Sequence, residues 1–232
     1  MKINDLIRSG VRTIVFDVHD TLILPARRVG QVYSEIAAGF GIKADPAATE
    51  QAFIKNFKTE TPLFFKKNQG RTSPALEHDY WVNLCKMTFA EIGHPGFPDE
   101  AVREIFGYYA SAEAWIVKQE VTESLNALTG KFTLFAASNM DGRLHNVLTG
   151  LGLAKHFKGI FSCQDLGYRK PALGFYTEIA EKSAEDQNKD KAQNPIPGQI
   201  LFVGDDEQND QINPSSLGFQ TAHPNTFFPL SQ

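Results

Sequence analysis

Short apolar runs that end abruptly in polar residues recur along this chain. Residues 11–16 lead into Asp17 in this way, which reads as a buried strand delivering a carboxylate at its tip. Residues 132–138, 159–162 and 200–205 share that character, and residues 219–222 add a fifth strand. Helical patterns fall between them, at residues 121–128, 141–151 and 173–182. Strands alternating with helices predict an α/β fold, a doubly wound parallel sheet covered on both faces. Ligands of such sheets sit beyond the carboxyl ends of the strands. Asp17, Ser138 and Asp205 all fall there.

Residues 25–110 break the alternation and read as several helices. Asp45-Pro46 and Ser73-Pro74 each join an N-cap residue to a proline in the first helical position. Tyr80, Trp81, Leu84 and Phe89 give this stretch apolar surface for a core of its own. The expected organisation is a core domain of residues 1–24 and 111–232 with a helical cap domain, residues 25–110, inserted after the first strand. Hinges are expected near residues 23–28 and 111–115. Residues 181–198 are polar, end in two prolines, and read as a surface excursion between a helix and a strand.

Composition narrows the ligand. At 232 residues the chain has room for one such core and a modest accessory unit. The formal net charge of −4 argues against a general nucleic-acid binder. An anionic substrate would therefore need positive charge supplied locally, by a metal or a placed lysine. No apolar run is long enough for a bilayer, and the first ten residues lack the apolar stretch of a secretory signal. With only Cys85 and Cys163 present, the expectation is a cytoplasmic protein without a disulfide framework and without a membrane partner. Nothing in the pattern sets an oligomeric state.

Four blocks carry the candidate chemistry. They are Phe16-Asp17-Val18-His19-Asp20-Thr21-Leu22, Ala136-Ala137-Ser138-Asn139, Lys170-Pro171, and Val203-Gly204-Asp205-Asp206-Glu207-Gln208-Asn209-Asp210. In the expected sheet Asp17, Asp205 and Asp210 converge in one crevice, with Asp206 nearby. Like charges so close raise one another's pKa and oppose folding unless a cation neutralises them. Oxygen-only ligands favour Mg²⁺, or Mn²⁺ in its place.

In order and residue type these blocks resemble the four motifs of the haloacid dehalogenase-like (HAD) hydrolases, whose first and fourth patterns are Asp-x-Asp-Gly-Thr-Leu and Gly-Asp-x-x-x-x-Asp. The resemblance spans nearly the whole core and implies a Rossmann-like HAD core with a C1-type cap insertion. It further implies a metal-dependent phosphatase of a small phosphorylated metabolite, acting through an aspartyl-phosphate. Asp17 would be the nucleophile, and Lys170 would compensate charge and order the carboxylates. Ser138 would bond a phosphoryl oxygen, while Thr21 and Asn139 would position neighbours at the substrate. The implied metal ligands are the Asp17 carboxylate, the main-chain carbonyl of His19, and Asp205, with Asp210 acting from behind them or through water. Gly204 would permit close backbone approach.

Position 19 departs from the pattern. Phosphatases of the family carry a second Asp there, which protonates the leaving oxygen and later activates water. Here it is His19, followed by Asp20 where the family has Gly. Histidine titrates near neutrality and can both donate and accept that proton. Adjacent extended residues point to opposite sides, so Asp20 is not expected to take the role over. With Met140-Asp141-Gly142-Arg143-Leu144 after the second block, the chain is similar to a HAD subgroup in which another polar residue likewise replaces the second Asp.

Two other readings follow from the same residues. A 2-haloacid dehalogenase uses the same Asp without metal and lacks the second Asp; Arg27 and Arg28 would then contact carboxylate or halide, although a solvated basic turn explains them as well. The clustered carboxylates of the fourth block count against it. A HAD fold with little turnover, serving as a binding protein, is the other. Lys66, Lys67 and Arg71 are read as solvated, and His78, His94, His145 and His156 show no metal-ligand spacing.

Overall fold

A computed structural model describes residues 1–187 and 196–228 of the chain. After helix α1 (Ile3–Arg8), strand β1 (Thr13–Phe16) enters the core and is followed by the short β2 (Ile23–Pro25). Four helices come next: α2 (Val29–Gly39), α3 (Pro46–Asn68), α4 (Pro74–Glu91) and α5 (Asp99–Ala110). Strand β3 (Trp115–Val117) leads back to α6 (Gln119–Leu128), β4 (Thr133–Ser138), α7 (Arg143–Gly150) and β5 (Gly159–Ser162). Helices α8 (Cys163–Leu166) and α9 (Leu173–Gln187), then β6 (Ile200–Val203) and β7 (Gln220–Ala222), complete the core.

Five strands form one parallel sheet in the order β5-β4-β1-β6-β7. All four residues of β1 are buried, as a strand covered on both faces requires. Alternation divides them: Ile14 and Phe16 pack with α1, α6 and α7 on one face, and Val15 packs with Phe175, Tyr176 and Ile179 of α9 on the other. Each such fully buried side chain contributes roughly 1.5–3 kcal/mol, so burial on the two faces fixes the register of β1. From β1 the chain proceeds to β4 and β5 on one side, then crosses to β6 and β7 on the other. The reversal opens a crevice beyond the carboxyl ends of β1 and β6.

The helices from α2 to α5 enclose a separate apolar cluster that includes Tyr33, Ala37, Cys85, Phe89, Phe97 and Ile105. Their start signals act as expected: Asp45 accepts from the Ala48 N–H at 2.8 Å, and Ser73 from the Leu76 N–H at 3.3 Å. At the two expected hinge positions the outgoing and returning chains pair as an antiparallel ribbon of β2 and β3, with Ile23 opposite Val117 and Pro25 opposite Trp115. Helix α9 also runs on to Gln187, through the first part of the expected surface excursion. The Glu, Lys, Ala and Gln residues there are good helix formers. The rest of that excursion, residues 188–195, lies outside the described residues. No helix among the described residues is long and apolar enough to cross a membrane.

Candidate active site

Register places Phe16, Ala136 and Val203 side by side across the three central strands. The ladder extends one residue further, the Asp17 N–H donating to the Val203 carbonyl at 2.8 Å. Asp17 thus leaves the carboxyl end of the central strand with a fixed backbone. Gly204 follows Val203, and a Cβ there would lie 2.3 Å from the Asp210 carboxylate. The missing side chain is what lets Asp210 fold back over the strand end. Its own helical turn (Glu207–Ile212) is started by Asp206, whose carboxylate accepts from the Asn209 N–H at 2.7 Å. Asp206 is thereby committed to capping.

Lys170 lies at the centre. Its ammonium donates to Asp17 Oδ1 at 2.8 Å and to Asp210 Oδ1 at 2.6 Å, and its side chain is only 4% exposed. Asp210 also accepts from the Asp206 N–H at 3.2 Å. Thr21, fully buried, donates to Asp205 Oδ1 at 3.1 Å. One carboxylate oxygen from each of Asp17, Asp205 and Asp210 lies within 4.8 Å of the others. Three carboxylates against one ammonium leave two negative charges at a cleft with oxygen donors only, a set that suits a hard dication.

Burial dominates the titration of the group, and the neighbouring charges modify it. Burial pushes the Asp17 carboxyl up to about 7, with Lys170 pulling it down and Asp210 and Asp205 adding repulsion. Burial raises Asp205 as well. For Lys170 burial works downward, and the carboxylates of Asp17 and Asp210 outweigh it, so the ammonium stays charged above its ordinary range.

Asn139 and Ser138 occupy the end of β4. The Asn139 side-chain amide bonds both the N–H and the carbonyl of Lys170. The buried Ser138 hydroxyl accepts from the Met140 N–H at 3.3 Å, which leaves its own proton free to donate elsewhere. Of the eight anticipated residues, Asp17, Asp210 and Lys170 form one bonded set; Thr21 joins Asp205, and Asn139 joins Lys170.

His19 stands apart from that set. It is exposed, with its ring edge-on to Trp115 at 5.8 Å and Nδ1 3.1 Å from Asp20 Oδ2. The Asp20 contact corrects the expectation that residues 19 and 20 diverge. Asp20 has φ +61°, in the left-handed region, and that turn brings the two side chains together. The same φ explains why glycine suits this position, since a side chain there costs about 1 kcal/mol. Arg27 pairs with Glu35 at the surface and Arg28 is exposed. Lys66, Lys67 and Arg71 are exposed too.

Sequence reasoning missed two contacts. The Lys118 ammonium, arriving from the end of β3, donates to the main-chain carbonyl of Asp20. Arg169 forms a buried ion pair with Glu77 of α4, 92 residues away. Neither has a local sequence signal, because each partner is supplied only by the tertiary fold.

Comparison with known proteins agrees with this geometry. Residues 11–210 match the family model described as haloacid dehalogenase-like hydrolase. The chain is 27% identical over 216 residues to the Haloacid dehalogenase-like hydrolase domain-containing protein 3 of Danio rerio, covering 92% of this chain and 84% of that one. Among solved structures, L-2-haloacid dehalogenase from Xanthobacter autotrophicus superposes with a TM-score of 0.68 at 15% identity, covering 92% of this chain and 77% of that one. The HAD-hydrolase YfnB from Bacillus subtilis, bound to magnesium, gives 0.67 at 16% identity, covering 96% and 90%. At such identities the structural matches speak for the fold alone.

Proposed function

This chain belongs to the haloacid dehalogenase-like hydrolase family, and on that premise we propose that it is a divalent-metal-dependent phosphatase of a small phosphorylated metabolite. The observation that carries the reading is the set of three carboxylates, Asp17, Asp205 and Asp210, around the single ammonium of Lys170. A dication balances that charge; metal-free dehalogenation would gain nothing from it. Mg²⁺, or Mn²⁺, would be held by Asp17, Asp205 and the main-chain carbonyl of His19, with Asp210 behind them. Bound there, it would neutralise charge on the phosphoryl group.

In this reading a carboxylate oxygen of Asp17 attacks phosphorus, and the ester P–O bond breaks as the aspartyl-phosphate forms. His19 gives its proton to the leaving oxygen, then takes one from the water that hydrolyses the acyl phosphate. Lys170 offsets negative charge at Asp17, Asp210 and the transferring group. The Ser138 hydroxyl donates to a phosphoryl oxygen, Thr21 orients Asp205, and Asn139 fixes the lysine at the substrate side.

We assign the core to residues 1–24 and 111–232 and the cap to residues 25–110, the cap covering the crevice, excluding water and selecting the substrate. The likeness to the domain-containing protein 3 relatives supports membership of their subgroup. Two buried free cysteines fit a cytoplasmic setting.

A panel of phosphorylated metabolites, assayed with Mg²⁺, with Mn²⁺ and with chelator, tests the proposal. Metal-dependent phosphate release that vanishes in Asp17→Asn supports it. Halide release from a 2-haloacid, indifferent to chelator, would replace it with dehalogenation. Metal binding without turnover of either class would make the chain a binding protein.

A further inference from the structure

The loop that carries Lys170 is held from two sides. On the core side, the Lys170 N–H donates to Asn139 Oδ1 at 2.7 Å, and Asn139 Nδ2 donates to the Lys170 carbonyl at 3.1 Å. On the other side stand the turn between α3 and α4 and the first turns of α4. The Thr72 N–H donates to the Gly167 carbonyl at 3.0 Å, and the Arg169 N–H donates to the Gly70 carbonyl at 2.9 Å. Gly70 lies so close to the loop that a Cβ would meet Ala172 Cβ at 2.5 Å.

The strongest tie is a side-chain one. Arg169 donates through Nε to Glu77 Oε1 at 2.7 Å and through Nη2 to Oε2 at 2.5 Å, a two-point pair with side chains 4% and 1% exposed. The Thr72 hydroxyl donates to the same Glu77 carboxylate. The guanidinium also lies over the rings of Phe64 in α3, at 4.8 Å, and Tyr80 in α4, at 4.6 Å. A charge pair this deeply buried gains little net stability over an apolar substitute, but it enforces one geometry.

Arg169 is the residue before Lys170. We propose that Glu77 and Arg169 are positioning residues through which helix α4 sets the placement of the Lys170 ammonium between Asp17 and Asp210. The inference builds on the reading of Lys170 as part of the phosphatase machinery. It implies that the helical segment cannot shift at this end without moving the lysine.

The test uses the full chain with magnesium and 4-nitrophenyl phosphate. Glu77→Gln should lower kcat tenfold or more and change KM less than twofold. In a Lys170→Met background the same substitution should lower residual turnover less than twofold, because the residue through which it acts is gone. Amide hydrogen exchange supplies a readout independent of turnover: exchange at Lys170 should rise at least tenfold in Glu77→Gln, with exchange at Val15 unchanged. Arg169→Lys, which keeps charge but loses the two-point fork, should lie between wild type and Glu77→Gln. If Glu77→Gln fails to fold, Thr72→Val takes its place, removing only the hydroxyl on Glu77.

Equal losses with and without Lys170, or unchanged exchange at Lys170, would overturn the proposal. A wild-type protein inert on phosphate esters, yet showing the accelerated exchange, would remove the phosphatase reading and leave the positioning relationship standing. An active wild type whose kcat and Lys170 exchange ignore Glu77 would do the reverse.

Discussion

The side-chain amide of Asn139 satisfies both backbone polar groups of Lys170, accepting from its N–H at 2.7 Å and donating to its carbonyl at 3.1 Å. One residue at the end of β4 therefore sets the height from which the lysine reaches Asp17. Asn139→Ala removes both bonds, worth roughly 0.5–1.5 kcal/mol each. Misplacing a charge-compensating group by about 1 Å costs about 100-fold in rate. The expected outcome is a kcat about 10–100-fold lower, with unfolding free energy reduced by about 1–3 kcal/mol. Steady-state kinetics and urea denaturation read the two effects separately.

The Asp17 carboxyl supplies a pH prediction. Burial lifts it from an ordinary 3.8 to about 7, so the folded state holds its proton more tightly than the unfolded one. The resulting stability is present in full below pH 3.8 and is lost as pH rises toward and through 7. Asp17→Asn should abolish turnover of the metal-loaded enzyme and, in metal-free protein, flatten the fall in Tm between about pH 4 and 7. Mg²⁺ should raise the wild-type Tm more at pH 8 than at pH 5.5, because it neutralises the charge that appears there. Thermal scans with and without chelator check both. A larger Mg²⁺ shift at the lower pH would contradict this account.

His19 and Asp20 make a paired test. His19→Asp should raise turnover of a phosphate ester or move its pH optimum. The double substitution His19→Asp/Asp20→Gly restores Asp-x-Asp-Gly and frees the left-handed backbone at φ +61°. It should exceed the single variant, by tenfold or more in kcat, since a placed acid–base group contributes about 100-fold or more. Unchanged rate and optimum in both would remove residue 19 from the chemistry.

Gly204→Ala should harm the site without touching a charged residue. Its Cβ would fall 2.3 Å from the Asp210 carboxylate, so that side chain must swing away from Lys170. Displacing a group behind the metal ligands costs about 10–100-fold in metal affinity. Titration calorimetry with Mg²⁺ measures that loss directly.

The strand tips were legible because buried parallel strands read as apolar runs, and Asp17, Ser138 and Asp205 follow such runs directly. Asp45 and Ser73 were legible as caps because an oxygen side chain before proline has one common local use. Glu77 and Arg169 were not. Their pairing depends on how two distant loops meet, and each alone reads as a solvated charge. Ribbon β2–β3 was hidden for a related reason: three residues per strand carry too little periodicity to register, and hydrogen bonding between the two crossings defines it. Helix α9 outran its expected end because its last turns are polar, a pattern shared by loops and solvated helix ends.

In that ribbon Pro25 lies directly opposite Trp115, and the Ala26 N–H still donates to the Ala114 carbonyl at 2.8 Å. Departure and return of the polypeptide thus happen at a single doorway. Everything between those two positions is topologically a cassette: a tight connection of about two to five residues, the ordinary span of a β-hairpin loop, would splice Pro25 to Trp115 and leave every parallel strand joined as before. Cassettes with neighbouring ends can be exchanged between relatives, which makes this doorway the natural junction for building chimeras, provided the incoming helices keep a carboxylate for Arg169 where Glu77 now stands.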